Sequence, residues 1–280
     1  MRAHLLQYDI AWEDPAANHA TVRRLVESAR VAAGDLILLP EMFDTGFSLN
    51  VDTTADEAGE SAAFLSSLAA QTRAYVQAGL TARGPDNRGR NRALIFNPDG
   101  REIARYDKIH PFSFGREPER FSGGDRVALW RWRGPTENDS ISVCPVICYD
   151  LRFPELFRAG LALGAQAFAI GANWPAARVE HWRALAIARA IENQAWVLAL
   201  NRCGSDPHLA YPGASLVVDP QGRVLAEAGG AEAVLTVDLP AAALAEWRET
   251  FSAWRDPRPG LLPQIGPDGR FSSGKADSGR

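Results

Sequence analysis

Short apolar runs rich in β-branched residues alternate with helix-like stretches along most of this chain. Residues 35–40 (DLILLP) form a run that predicts a fully buried strand, and residues 18–33 before it carry apolar side chains at helical spacing. Two turn sequences, residues 97–100 (NPDG) and 219–222 (DPQG), predict hairpins within the alternation. The pattern therefore predicts sheets covered by helices in one compact α/β unit.

The composition of the chain changes only near its end. No internal stretch has the composition of a linker, so residues 1–256 are predicted to form one domain. After residue 256, proline, glycine and serine become frequent. Residues 257–280 are therefore predicted to form an extended or disordered C-terminal tail.

Charge and hydropathy exclude several classes of protein. The formal net charge is −4, and both signs are spread along the chain. Neither nucleic acid nor a membrane is therefore an expected partner. No apolar run approaches the roughly 20 residues that span a bilayer. Because the N-terminal residues also lack the pattern of a signal peptide, we expect a cytoplasmic protein.

The cysteine and histidine content argues against disulfides and metals. The chain has only three cysteines, Cys144, Cys148 and Cys203. This odd and small number does not suit a disulfide framework. The five histidines are scattered, and no cysteine or histidine spacing matches a zinc site. We expect no metal and no cofactor.

Three polar residues share one context, since each follows a predicted strand. Glu41 follows residues 35–40, Lys108 follows residues 102–106, and Cys148 ends the strand predicted from residue 141. Taken singly, each has an ordinary explanation as a surface charge or a small core residue. Sites in α/β folds are built at the carboxyl ends of strands, however, and these three residue types form a working catalytic set.

The set suits the hydrolysis of an amide through a thioester. A thiol is mostly protonated at neutral pH, so a carboxylate such as Glu41 is needed to take its proton during attack. Lys108 can stabilise the oxyanion that forms, and the backbone N–H of Tyr149 after the nucleophile can add a second donor. Glu41 can then return the proton to the leaving amine and activate water for hydrolysis of the thioester.

Other constellations remain open from the residues alone. A Cys–His dyad could use His181 or His208. Cys203 lies in a turn-like setting and is the reserve nucleophile. Cys144 is predicted on the same strand face as Cys148, four residues away, so we interpret it as a packing residue.

Three segments in chain order resemble the motifs of one enzyme superfamily. Residues 39–43 (LPEMF), 106–110 (YDKIH) and 148–155 (CYDLRFPE) are similar to the glutamate, lysine and nucleophile motifs of the nitrilase or carbon–nitrogen hydrolase superfamily. The resemblance extends from about residue 2 to residue 256. It implies a four-layer αββα sandwich, a Glu–Lys–Cys triad, no metal, and a homodimer or larger homo-oligomer.

The superfamily also has a second glutamate after the lysine, which positions the lysine and the substrate. Residues 117–124 (EPERFSGG) resemble that region. The resemblance assigns this role to Glu117, with Glu119 as the alternative.

Further segments resemble the bacterial omega-amidase branch, namely residues 40–47 (PEMFDTGF), 172–175 (ANWP), 181–182 (HW) and 188–194 (ARAIENQ). This branch implies hydrolysis of the terminal amide of 2-oxoglutaramate or 2-oxosuccinamate, with release of ammonia. The alternatives are an N-carbamoyl amine, aliphatic or deaminated-glutathione amidase, or a non-catalytic binding protein on the same scaffold. Tyr149-Asp150 after the cysteine, where true nitrilases usually have Trp-Glu, disfavours a nitrile substrate.

Substrate contacts are predicted from the same segments. A 2-oxo acid amide carries one carboxylate, so a cation is expected in the pocket, and Arg178 is the candidate. Phe43, Tyr149 and Trp174 are predicted to form the pocket walls. The charged side chains that follow the cysteine are interpreted as structural pairs that fix its loop; these are Asp150, Arg152 and Glu155.

Overall fold

Two six-stranded sheets with helices on their outer sides form the protein. The computed structural model describes residues 1–134, 139–258 and 264–271. The strands are β1 (Arg2–Gln7), β2 (Leu36–Leu38), β3 (Tyr75–Arg83), β4 (Gly89–Phe96), β5 (Glu102–Asp107), β6 (Trp130–Arg133), β7 (Ser140–Ile147), β8 (Ala167–Ala172), β9 (Trp196–Asn201), β10 (Cys203–Ser205), β11 (Ala210–Pro212), β12 (Leu216–Val218), β13 (Val224–Glu227) and β14 (Ala233–Asp238). The α-helices are α1 (Pro15–Ala29), α2 (Val51–Thr54), α3 (Glu60–Thr72), α4 (Pro154–Ala162), α5 (Val179–Asn193) and α6 (Ala241–Thr250).

The two large sheets have similar strand orders and mixed directions. The first runs β14-β1-β2-β3-β4-β5 and the second β13-β12-β9-β8-β7-β6. Parallel pairs occupy the centre of each sheet. In the first sheet β2 pairs with β1 and β3, and in the second β8 pairs with β7 and β9. Antiparallel strands lie at the edges, as the predicted hairpins require. The strands β10 and β11 form a separate two-stranded ribbon.

Three apolar layers hold this arrangement together. One layer lies between the two sheets and joins Leu5 and Leu36 of the first sheet to Trp132 and Leu198 of the second. A second layer packs α1 and α3 on the first sheet, and a third packs α4 and α5 on the second sheet. Helix, sheet, sheet and helix therefore stack in order, which confirms the predicted αββα sandwich.

Two strand segments have local irregularities. The strands β11 and β12 do not join into one, because Gly213 and Ala214 between them both have positive φ angles, 64° and 57°. Pro145 lies inside β7, which is not an edge strand, although proline cannot donate to a sheet. The pairing of β7 with β6 stops at Val143, which is opposite Trp130, the first residue of β6, so at Pro145 β7 has a neighbouring strand on one side only.

The C-terminal residues are described in part. Residues 264–271 form a turn in which Ile265 bridges Phe271, and Arg270 bridges Arg126 of the domain. Ile265 and Phe271 pack against the layer that covers the second sheet. The rest of the predicted tail, residues 259–263 and 272–280, lies outside the described residues, and the domain boundary at residue 256 stays a prediction. Among the described helices, none combines the length and the apolar character that a membrane crossing requires.

Candidate active site

The loop that follows β2 places Glu41 between the two sheets, where its side chain is fully buried. Its backbone passes between a glycine of each sheet. A Cβ added to Gly79 would lie 2.8 Å from the Cα of Glu41, and one added to Gly171 would lie 3.0 Å from the Glu41 nitrogen. Both glycines are therefore required by the close approach of this loop.

We expect Gly79→Ala to lower kcat by about 10²-fold, because the new methyl must displace the backbone of Glu41 and a catalytic group misplaced by about 1 Å costs that much. The measurement is steady-state kcat of the folded variant, checked by thermal unfolding. Gly229→Ala is the matched control, since a Cβ there meets no atom within 4 Å. Equal kcat for the two variants would show that the loop tolerates the displacement.

Lys108 follows β5 directly and is buried beside Glu41. Its Nζ donates to Glu41 Oε1 at 2.8 Å and to Glu117 Oε2 at 2.9 Å. Its backbone N–H donates to the carbonyl of Asn91 in β4 at 2.8 Å, which fixes the start of the side chain. An ammonium has three donors, so two carboxylate contacts leave one N–H for another acceptor.

The two candidate second glutamates have different environments. Glu117 is fully buried, and its Oε2 also accepts from the backbone N–H of Phe112 at 2.5 Å. Glu119 is exposed and pairs with Arg116 on the surface. The structure therefore brings Glu117, and not Glu119, to Lys108.

Two asparagines complete this cluster and were missed in the sequence. Asn91 Nδ2 donates to both carboxylates, to Glu41 Oε1 at 2.7 Å and to Glu117 Oε1 at 2.8 Å. The backbone N–H of Asn173 donates to Glu41 Oε2 at 2.9 Å, and its side chain donates to the Glu41 carbonyl at 2.7 Å. Asn91 lies on the same face of β4 as Ala93 and Ile95, two and four residues later. A polar residue at an inward position was the available signal.

The buried charges stabilise one another in their ionised forms. Burial opposes ionisation of Glu41, but Lys108 and the donors from Asn91 and Asn173 hold its pKa below the ordinary value. Burial likewise opposes the charge of Lys108, yet the facing carboxylates of Glu117 and Glu41 raise its pKa above the ordinary value. The resting site therefore presents a carboxylate base beside a fixed ammonium.

Cys148 lies just beyond β7, which ends at Ile147 and not at the cysteine as predicted. Its φ of 44° is left-handed, and it opens a short 3₁₀ helix over Cys148–Arg152. A nucleophile on a sharp turn after a strand has its side chain directed out of the sheet. Burial raises the pKa of the thiol well above its usual range and Glu41 adds to this, while Lys108 opposes it. The thiol is therefore protonated at rest and needs a base.

Asp150 holds the turn that carries Cys148, as its interpretation as a structural residue predicts. Its Oδ2 accepts from the hydroxyl of Tyr106 at 2.7 Å and from the N–H of Ile147 at 3.3 Å. Its Oδ1 accepts from the N–H of His110 at 3.0 Å and contacts the His110 ring at 2.8 Å. The turn that begins at Cys148 is thereby joined to the segment that follows Lys108.

Cys148 and Lys108 line the same cavity. Of the predicted substrate contacts, Tyr149, Trp174 and Arg178 line it. Phe43 does not, and this corrects the sequence-based assignment: its ring is fully buried and packs near Phe64 and His19 under α1 and α3. The other lining residues are Phe47, Phe112, Arg152, Asn173, Pro175, Leu209 and Tyr211.

Arg152 also departs from its expected structural role. Its guanidinium lies 4.7 Å from the ring centre of Trp174 and lines the cavity with Arg178. Burial lowers the pKa of Arg152, and the charge of Arg178 acts in the same direction. Within residues 1–134, 139–258 and 264–271, neither arginine forms a salt bridge to a carboxylate. Two unneutralised cations therefore face the same small cavity as the thiol.

The alternative nucleophiles and bases do not line the cavity. Cys144 is fully buried in β7, and Cys203 lies in the ribbon strand β10. His208 is exposed and packs edge-on against Trp12. His181 contacts Arg152. A protonated thiol and an ammonium thus line the cavity, and a buried carboxylate is hydrogen-bonded to that ammonium. This arrangement is suited to acyl transfer through a thioester.

Comparisons with known proteins identify the family of the chain. A match to the family Carbon-nitrogen hydrolase covers residues 2–249. A 2-oxoglutaramate amidase of Bacillus subtilis (strain 168) is 37% identical over 258 residues, which cover 91% of this chain and 97% of that protein. Omega-amidase YafV of Escherichia coli (strain K12) is 37% identical over 262 residues, which cover 91% and 96%.

A solved structure shows the same fold. The CN-hydrolase superfamily protein XC1258 from Xanthomonas campestris, which has an arsenic adduct in its active site, is 36% identical with a TM-score of 0.85. The similarity covers 92% of this chain and 97% of that chain. The chain therefore belongs to the carbon–nitrogen hydrolase family. It is a hydrolase of carbon–nitrogen bonds in linear amides.

Proposed function

We propose that this enzyme is an omega-amidase that hydrolyses the terminal amide of 2-oxoglutaramate or 2-oxosuccinamate to the dicarboxylate and ammonia. The observation that carries the proposal is the pair of unneutralised cations, Arg152 and Arg178, on the cavity that holds the thiol of Cys148. An acyl group with a carboxylate at its far end suits such a cavity. The Bacillus subtilis and Escherichia coli relatives bear the names of amidases of this kind.

In the first half-reaction Cys148 attacks the amide carbon while Glu41 takes the thiol proton. The raised pKa of Cys148 makes this proton transfer necessary, and general-base help of this kind is worth about 10²–10⁴ in rate. The third N–H of Lys108 and the backbone N–H of Tyr149 receive the oxyanion. Glu41 then gives its proton to the leaving nitrogen, ammonia departs, and a thioester on Cys148 remains.

In the second half-reaction Glu41 takes a proton from water, and the resulting hydroxide attacks the thioester carbon. The tetrahedral intermediate uses the same donors, and its collapse releases the dicarboxylate while the proton returns to the sulfur. Glu117 acts through Lys108, because its carboxylate at 2.9 Å from Nζ holds the ammonium in place. The same groups therefore serve both half-reactions.

The far carboxylate of the substrate is assigned to the arginines. Charge-assisted hydrogen bonds of this type contribute about 1.5–3 kcal/mol. Arg178 lies over the rings of Phe112 and Phe114, and its guanidinium carbon Cζ is 5.5 Å and 5.6 Å from their centres. Tyr149 and Trp174 form walls beside the acyl chain.

The cellular setting is part of the proposal and rests on the composition of the sequence. We propose a cytoplasmic enzyme that forms a homodimer or a larger homo-oligomer, with residues 1–256 as the catalytic domain. The superfamily resemblance supports the assembly, and the three free cysteines support the compartment.

A substrate panel tests the proposed activity. We expect kcat/KM for 2-oxoglutaramate to exceed that for the neutral amide butyramide by about 10- to 100-fold, because only the former has a carboxylate for the arginines. Ammonia release is the measurement. An N-carbamoyl amine and deaminated glutathione complete the panel. Turnover of either one without turnover of 2-oxoglutaramate would assign the enzyme to another branch of the family, and binding without any turnover would support a non-catalytic protein.

A further inference from the structure

Arg152 is held in the cavity by an imidazole. Its two terminal nitrogens lie 3.4 Å and 3.3 Å from Nδ1 of His181. A guanidinium only donates hydrogen bonds, so Nδ1 is the acceptor and the ring proton of the neutral imidazole is on Nε2. The contact therefore defines both the tautomer of His181 and the direction of Arg152.

The other contacts of Arg152 restrict its plane but not its rotation within that plane. The guanidinium carbon Cζ of Arg152 lies 4.7 Å from the ring centre of Trp174 and 6.0 Å from that of Tyr149. Stacking on aromatic rings leaves the edge of a guanidinium free to turn. Because the described residues provide no salt bridge to Arg152, the hydrogen bonds that Arg152 donates to Nδ1 of His181 are the directional restraint.

A neutral acceptor has an advantage over an acidic one at this place. A carboxylate beside Arg152 would orient it too, but would also neutralise it and compete with a carboxylate on the substrate. An imidazole orients the guanidinium and leaves its charge available. His181 lies in the first turn of α5 and is exposed, so it is separate from the buried cluster around Lys108.

We propose that His181 is a positioning residue that directs Arg152 toward the far carboxylate of the substrate. This inference rests on the proposed omega-amidase function. It adds to that function a residue that touches neither the thioester nor the reacting amide. His181 sets the affinity for carboxylate-bearing amides and leaves the chemical steps to Glu41, Lys108 and Cys148.

Three variants of His181 test the proposal with two substrates. We expect His181→Ala to raise KM for 2-oxoglutaramate about 10-fold, because Arg152 is then no longer directed toward the substrate carboxylate. The kcat and the KM for butyramide should stay within about twofold. His181→Gln keeps a neutral acceptor and should restore most of the affinity. His181→Glu should raise KM for 2-oxoglutaramate despite good orientation, because its carboxylate occupies Arg152.

A double-mutant cycle identifies the partner. His181→Ala should have little further effect on KM in an Arg152→Met background, since the two residues act as one unit. An unchanged KM in His181→Ala, or equal losses for both substrates, would overturn the positioning role. A wild-type enzyme that shows no preference for 2-oxoglutaramate over butyramide would instead overturn the proposed function, and the inference with it.

Discussion

Replacement of Cys148 with alanine is expected to lower kcat by about 10⁴-fold or more, to the background rate, because no thioester can form without the nucleophile. The fold should survive. The side chain is 8% exposed in a turn whose shape depends on the hydrogen bonds of Asp150, and these do not involve the sulfur. Alanine is strained no more than cysteine by the φ of 44°.

The measurement combines ammonia release with intact-protein mass after an acid quench. Wild-type enzyme mixed with 2-oxoglutaramate should show the mass of the acyl thioester, and Cys148→Ala should not. Cys144→Ala and Cys203→Ala are the matched controls, since both side chains are buried and neither lines the cavity. Cys144→Ala creates a small core cavity and is expected to lose stability but keep the adduct. Clear turnover by Cys148→Ala would remove the proposed nucleophile.

The positions of the carboxylate, the ammonium and the thiol of the active site were predictable because each signal is local. An apolar run followed by a polar residue indicates a strand and the loop after it, and this pattern locates Glu41, Lys108 and Cys148 without any knowledge of pairing. The sheets then bring the loops together at one edge, since β2, β5 and β7 all end there. Local pattern and layer architecture together account for the cluster.

The residues that were missed depend on contacts between distant parts of the chain. Asn91 and Glu41 are 50 residues apart, and Asn173 and Glu41 are 132 residues apart. The first contact needs the register of β4, and the second needs the stacking of one sheet on the other. No periodicity within a single strand contains that information.

The error at Phe43 has a different origin. Met42 and Gly46 both have left-handed φ angles, 45° and 74°, so the loop has neither the period of a strand nor that of a helix. Phe43 consequently turns into the core, and Phe47 reaches the cavity four residues later. A motif can identify this loop, but it does not determine which aromatic ring faces the substrate.

Arg152 illustrates the limit of reading ion pairs from neighbouring charges. The nearby Asp150 suggested a structural pair, but both oxygens of Asp150 are already used by Tyr106, His110 and Ile147. Among the described residues, Arg152 forms no salt bridge with an acidic side chain and lines the cavity instead. The spacing of the charges in the sequence does not contain that position.

Glu41→Gln is expected to lower kcat by about 10²–10⁴-fold while the protein stays folded, because an amide cannot accept the thiol proton. Glutamine fills nearly the same space, and Lys108 keeps Glu117 as its counter-ion at 2.9 Å. The buried ammonium is therefore not left unpaired, which would otherwise destabilise the protein strongly.

The hydrogen bonds around Glu41 add to this loss. Oxygen Oε1 accepts from Lys108 and Asn91, and Oε2 accepts from the backbone and side chain of Asn173. A glutamine NH₂ in either position must face donors, so one set of contacts is broken whichever way the amide turns. The Asn173 side is the less costly one to lose, because it leaves Lys108 an oxygen to bind. We therefore expect a moderately lowered thermal midpoint in addition to the catalytic defect.

Two rates should fall together in this variant, since Glu41 serves as the base in both half-reactions. Quench-mass measurements of thioester formation report the first rate, and the decay of a preformed adduct reports the second. Glu119→Gln is the matched control, because that carboxylate is exposed and pairs with Arg116 on the surface. It should leave both rates unchanged. If Glu41→Gln formed the thioester at the wild-type rate, a group other than Glu41 would have to accept the thiol proton.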